Sequence, residues 1–161
     1  MDRFTLAEAL NILEIDRGRM NEWLSRGLIE TEHEIKKGSR THKEYSTADL
    51  YAIAIFKTLI EYGQIPRDTA SKVAKAWRDS VKKYGVESCR DPIFILRKED
   101  GFELAMAPIP MQTFKDQGSG AIFNLSVLRN MELIRDDTTW KIMFVLNIGV
   151  ILAEVDVRLS V

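Results

Sequence analysis

Cysteine is nearly absent: Cys89 is the one cysteine in 161 residues. It has no partner for an internal disulfide, and a thiolate metal site needs several ligands at set spacings. Redox and zinc chemistry therefore lose most of their support. Long apolar runs are missing as well. The longest uncharged apolar stretch, IMFVLNIGVILA at 142–153, is broken by Asn147 and falls well short of the ~20 residues a membrane-spanning helix requires. It reads as core, and no membrane partner is expected. No basic segment followed by an apolar one opens the sequence, so the expected location is the cytoplasm. Charge of one sign is also scarce. A formal net charge of −1 argues against a surface that binds nucleic acid all over. Residues 91–161 hold 7 Lys and Arg against 10 Asp and Glu, leaving 16 against 14 in residues 1–90, or −3 and +2. Only a local basic patch is left to matter.

What is present is ordinary for a folded domain: 45% hydrophobic and 29% charged residues argue against a disordered chain. FTLAEALNILEI carries Thr5 and Glu8 in the T-x-x-E pattern of a capping box, and Leu6, Leu10 and Leu13 then recur at helical spacing. A helix over about 6–13 is expected. RMNEWLSRG puts Met20, Trp23 and Leu24 on one face, with Trp23 inward, and leaves Arg17, Arg19, Asn21, Glu22 and Arg26 off it; Gly27 suits the left-handed position after a helix end. Two short helices with about four residues between them have the spacing of a helix-turn-helix.

Residues 30–44 are polar, with Gly38 and Ser39 at the middle, and fit a hairpin or an extended loop. Within them KKGSRTHK has four basic residues, a histidine and no carboxylate. Ser46 or Thr47 then caps a helix starting at Ala48 or Asp49, which is apolar almost all round and so expected to be buried on two sides. Gly63 stops it, and Pro66 opens a fourth helix with an apolar stripe from Ala70 to Tyr84 and Lys72, Lys75, Arg78 and Lys82 opposite. Beyond Gly85 the pattern changes. PIFILRKEDGFELAMA has two apolar runs around Asp100-Gly101, a hairpin signal. PIPMQTFKDQGSG reads as a loop, AIFNLSVL and WKIMFVLNI as strands, and GVILAEVDVRL as a closing helix with Val150, Leu152 or Ala153, and Val157 inward.

Residues 4 to about 84 resemble the DNA-binding domain of the MerR family. The resemblance lies in TLAEALNIL, the turn IDRG, MNEWLSRGLIE, a glycine-bearing basic segment and YSTADL, in the family's order. It covers about half the chain. It implies a winged helix-turn-helix whose second helix enters the major groove while the hairpin wing lies on the phosphate backbone. Arg17, Arg19 and Asn21 are then the base-reading candidates, with arginine suited to guanine and asparagine to adenine, although either arginine can instead hold phosphate. Arg26, Lys36, Lys37, Arg40, His42 and Lys43 are the phosphate candidates, since basic side chains there release counterions on meeting the backbone. The chain departs from the family in Asn21 where many members carry arginine, in Glu14 where glycine is common, and in a longer basic segment before Tyr45. No sustained heptad follows Gly85, and without clustered cysteines the family's metal and iron-sulfur sensing modes are excluded.

The expected fold class is α+β: a MerR-like winged helix-turn-helix with two further helices over residues 1–85, then a small β-rich domain over 86–161 that ends in a helix. The expected function is a bacterial or phage transcription regulator that binds double-stranded DNA as a homodimer, the second domain supplying dimer contacts or a site for a small-molecule effector. Two other readings stay open, an architectural DNA-binding protein of the excisionase kind and a protein-binding adaptor, the latter favoured by Glu30, Glu32 and Glu34 just before the wing. An enzyme is not expected. Asp91, Glu99, Asp100, Asp136, Asp137 and Cys89 assemble no nucleophile, base and orienter, and both histidines lie far off in the first part. No catalytic residue, cofactor or metal is therefore assigned.

Overall fold

The computed structural model describes residues 3–31, 33–37, 40–63, 65–90, 93–98, 104–108 and 140–160, with the backbone alone for 33–37, 40–41, 93–98, 104–108 and 140–146. These form two compact units, one of Met1–Arg90 with Gly149–Val161 and the other of Asp91–Ile148. The division expected at residues 85 and 86 thus falls a few residues later. The closing helix, expected in the second domain, belongs to the first unit. Among the described residues no helix is long and apolar enough to cross a membrane. The architecture combines helices with small antiparallel sheets.

The first unit opens with β1 (Arg3–Phe4), which the sequence pattern did not announce and which pairs with the end of the later strand β3. Helix α1 (Leu6–Leu13) starts where the capping box placed it: the Glu8 amide donates to Thr5 Oγ1, and Glu8 Oε2 accepts the Thr5 amide at 2.7 Å. Such a cap contributes about 1 kcal/mol. Glu14 ends the helix in the left-handed region, with φ 50° and ψ 52°. For a residue with a Cβ that conformation costs roughly 1–2 kcal/mol, so the neighbours must hold it. They do so from two sides, as Lys57 Nζ donates to the carbonyls of Leu13 at 2.9 Å and Glu14 at 3.3 Å, while Arg158 Nη1 donates to that of Ile12 at 3.0 Å. Two cations thereby sit on the carbonyl end of α1, where the helix dipole favours positive charge.

After the three-residue turn, Asp16 caps α2 (Arg17–Ser25) by accepting the Arg19 amide at 2.9 Å. Gly27, at φ 66°, then turns the chain away. Strands β2 (His33–Lys37) and β3 (Arg40–Ser46) pair antiparallel, Ile35 opposite His42. Gly38 and Ser39, placed at the hairpin tip by the sequence pattern, lie outside the described residues. Strand β3 runs without a break into α3 (Thr47–Glu61), whose capping box is Ser46 with Asp49. Helix α3 is buried continuously from Asp49 to Phe56, as its all-round apolar pattern required. Trp23 and Phe56, both fully buried, meet edge to face at 4.9 Å, joining α2 to α3. Helix α4 (Arg67–Tyr84) lays Ala70, Val73, Ala74, Trp77 and Val81 against this core.

One buried ionic cluster ties the first unit together. Arg78 of α4, 6% exposed, donates to Asp49 Oδ1 at 3.2 Å, to the Glu30 carbonyl at 2.8 Å and to Glu30 Oε2 at 3.1 Å. Asp49, 1% exposed, also accepts the Ser46 amide at 3.0 Å and the Ser46 hydroxyl at 2.9 Å. A lysine hydrogen bond from Lys75, against a smaller opposing effect of burial, holds the Glu30 carboxyl below its ordinary range. Arg78 had been assigned by periodicity to the solvated face of α4; its place in this cluster corrects that assignment.

A final helix, α5 (Ile148–Leu159), buries Ile151, Leu152 and Val155. Val150 and Val157, expected inward with Leu152 or Ala153, are 53% and 67% exposed, so the helix is rotated from the expected register and only Leu152 faces in. Two polar attachments set that rotation. Asp156 accepts the Tyr51 hydroxyl on Oδ1 and Arg90 Nη2 at 3.1 Å on Oδ2, and Arg158 Nη2 reaches Glu14 Oε2 at 2.9 Å. A short turn, Glu87–Cys89, leads from α4 to Arg90, with Trp77 Nε1 donating to the Cys89 carbonyl at 3.0 Å.

The second unit holds a three-stranded sheet with β4 (Ile93–Lys98) between β5 (Leu104–Pro108) and β6 (Trp140–Leu146), all antiparallel. Its register changes between Ile95 and Leu96, as at a β-bulge. The two strands expected around Asp100-Gly101 are therefore present and paired, as is the last expected strand. Asp91, Glu99, Asp100, Asp136 and Asp137, the loop at 108–120 beyond Pro108, and the segment AIFNLSVL lie outside the described residues.

Candidate nucleic-acid interface

Arg17, Asn21 and Ser25 recur every four residues on α2 and so share one face, opposite the buried Met20 and Trp23. That face forms one wall of an open cleft of about 630 Å³. His42, Lys43, Glu44 and Tyr45 of β3 form the facing wall, and Thr5, Leu6 and Ala7 at the start of α1 complete it. Arg17, Asn21 and His42 are exposed, while Lys43 is half-buried. The lone carboxylate lining the cleft among the described residues, Glu44, lies 3.5 Å from Arg3, which offsets its charge. Arg17 and Lys43 bring basic side chains to the walls, and the start of α1 brings its first amides, that of Thr5 already held by Glu8. An extended polyanion fits this arrangement, because each charged group is borne on a helix or strand held by the core beneath.

No protein-family model matches the chain, and no curated protein matches it. What the cleft can do thus rests on its geometry.

Of the residues singled out from sequence, Arg17, Asn21, His42 and Lys43 come together around the cleft. Arg19 does not. Its Nη1 is 2.5 Å from Glu61 Oε1, and its guanidinium lies 5.7 Å from the centre of the Trp23 ring, so it bridges α2 to α3. Arg26 is also outside the cleft, 3.5 Å from Glu22, whose carboxylate accepts Arg67 at 2.7 Å as well. Glu22, awkward beside phosphate from its sequence position, is thereby neutralised within the protein. Lys36, Lys37 and Arg40 lie on the hairpin strands, with Lys37 opposite Arg40 across the ladder. Their side chains are outside what the structure describes.

The sequence pattern missed three contributors. The start of α1 was visible as a capping box, but nothing local said that it would face β3. Ser25 follows Arg17 and Asn21 at the same interval and was legible as the third member of that series. Tyr45 is fully buried at the cleft wall, and among the described residues its hydroxyl has no hydrogen-bond partner. Burial, and then the Asp49 charge, push its pKa up to about 12, so it stays a neutral donor at physiological pH.

Proposed function

We propose that the chain is a sequence-specific DNA-binding transcription regulator of the winged helix-turn-helix kind, as its resemblance to the MerR family implies. Helix α2 enters the major groove, and the β2–β3 hairpin is the wing on the phosphate backbone. The observation that carries this reading is the cleft itself, which sets Arg17 and Asn21 of α2 opposite His42 and Lys43 of β3. Asn21 suits the paired donor and acceptor of adenine, Arg17 suits guanine, and a good two-pronged contact discriminates by about 1–3 kcal/mol. His42, Lys43 and the hairpin cations Lys36, Lys37 and Arg40 supply phosphate contacts, which add affinity without sequence information. One such module covers few base pairs, so the active form is a homodimer on two half-sites in the cytoplasm. The second unit supplies dimer contacts or a small-molecule site.

The adaptor reading draws on a separate observation, the pairing of Arg19, Arg26 and Arg67 with Glu61 and Glu22. Selection of duplexes from a random library by the purified chain at near-physiological salt separates the alternatives. Enrichment of an inverted repeat supports the dimeric regulator. Retention without enrichment points to an architectural role of the excisionase kind, and loss of all duplexes points to the adaptor.

A further inference from the structure

The first unit is not continuous in sequence. The chain leaves it at Arg90, makes the second unit, and re-enters at Gly149, so the second unit is an insertion. The point of departure is tied to the returning helix about two turns past its re-entry, because Arg90 Nη2 donates to Asp156 of α5 at 3.1 Å. Tyr51 of α3 donates to the other oxygen of the same carboxylate. Two residues further along α5, Arg158 grips the far end of α1 and the turn that leads into α2. Its Nη1 holds the Ile12 carbonyl at 3.0 Å and its Nη2 holds Glu14 Oε2 at 2.9 Å. Glu14 is the residue held in the left-handed conformation, and the Ile15 amide beside it bonds the Leu10 carbonyl at 3.1 Å. The path from the re-entry of the chain at Gly149 to the turn before α2 therefore runs along a single helix, about two and a half turns to Arg158.

From this continuity we infer that α5 is a lever by which the inserted unit controls the seating of α2. Only Asn147 separates the last strand of that unit from α5. A change in the insertion that draws on β6 pulls on α5, loosens the hold of Arg158 on Glu14, and frees the turn from which the α2 face of the cleft projects. Arg158 is in this view a positioning residue, since it lines no part of the cleft. The consequence for duplex affinity rests on the proposed function, whereas the mechanical coupling does not.

The test perturbs the neck and looks at the turn. In the full chain, Asp156→Asn weakens the contacts to Arg90 and Tyr51 without touching α1 or α2. Amide hydrogen exchange followed by mass spectrometry is then compared with wild type over residues 12–20. The expected result is exchange at least fivefold faster in that segment, with the α3 and α4 cores unchanged, and the same outcome for Arg158→Met. Faster exchange confined to residues around 51 and 87–90, with the turn as protected as in wild type, overturns the lever. A uniform rise throughout the first unit overturns it too, since that is plain destabilisation. If either variant fails to fold, Glu14→Gln carries the test, because it removes only the ion pair at a side chain 65% exposed. Anisotropy with a labelled duplex gives the second readout, a threefold or greater loss of affinity in Arg158→Met. If wild type binds no duplex, the DNA reading falls while the exchange result still decides the lever.

Discussion

Replacing Arg78 with methionine removes the centre of the buried ionic cluster while keeping most of the apolar stem. Three acceptors then lose their donor: Asp49 Oδ1, the Glu30 carbonyl and Glu30 Oε2. The Glu30 carboxylate, 49% exposed, recovers water at little cost, and Lys75 still reaches it at 3.3 Å. Asp49 does not, because at 1% exposure its remaining support is Ser46 alone. Breaking a buried pair from one side typically costs about 3–5 kcal/mol, because a charge is left uncompensated. The usual stability of a domain is about 5–15 kcal/mol, so Arg78→Met removes roughly a fifth of it or more. Urea titration at neutral pH measures the loss. Tryptophan emission reports the first unit through Trp23 and Trp77, in a Trp140→Phe background that silences the second unit. The expected outcome is a lower midpoint at unchanged slope. Adding Asp49→Asn to Arg78→Met should recover part of the loss, since the stranded charge is gone. A cost below about 1 kcal/mol for Arg78→Met would refute the reasoning that desolvation makes this pair costly to break.

Four further outcomes follow from the same structure. At position 14, glycine should stabilise by about 0.5–1 kcal/mol, as relief of the left-handed strain outweighs the exposed pair with Arg158, and valine should destabilise by at least about 1 kcal/mol, both read from thermal or urea melts. Tyr45 and Tyr51 should titrate near pH 12 by tyrosinate absorbance, both raised mainly by burial and Tyr51 next by its bond to Asp156. Their folded values lie above the unfolded value of about 10, so their contribution to stability is complete below pH 10 and is lost as pH rises through about 12; Tyr51→Phe should remove one of the two late transitions. Alanine at Arg17 or Asn21 should relax sequence preference in a binding selection, whereas alanine at both Lys37 and Arg40 should weaken binding on cognate and random duplexes alike and flatten the salt dependence. Arg19→Ala should instead loosen α2 against α3, and a large change in sequence preference with unchanged stability would count against its place beside Glu61 and Trp23.

Local signals announced local structure well. The capping box at Thr5, the cap at Ser46 or Thr47, the left-handed glycine at Gly27 and the apolar stripe of α4 all carry their cause within a few residues; α1 starts where its cap put it, α3 starts at Thr47 just before the expected Ala48 or Asp49, and the α4 stripe is buried as far as Val81 with Tyr84 exposed. The inward placement of Trp23 was legible for the same reason. What could not be seen depends on distant partners. Arg78 shows the periodicity of a solvated position, and only the nearness of Asp49 and Glu30 turns it into a buried one. Nothing in RGRMNEWLSRG says that Arg17 faces β3 while Arg19 is drawn to Glu61 forty-two residues later. The register of α5 was misjudged for the same cause, since Asp156 and Arg158 rotate it toward Tyr51, Arg90 and the end of α1.

The contact between Arg158 and Ile12 spans 146 positions of chain. During synthesis the first ninety residues emerge long before α5, with the whole of Asp91–Ile148 made in between. At about 5–20 residues per second, those roughly sixty residues take about 3–12 s. For that interval the surface that α5 covers on the nascent chain stays open, and the turn at Glu14 has Lys57 but not Arg158 on its carbonyl end. The first unit therefore closes late, and the nascent chain carries that uncovered surface through the time in which the insertion is being made.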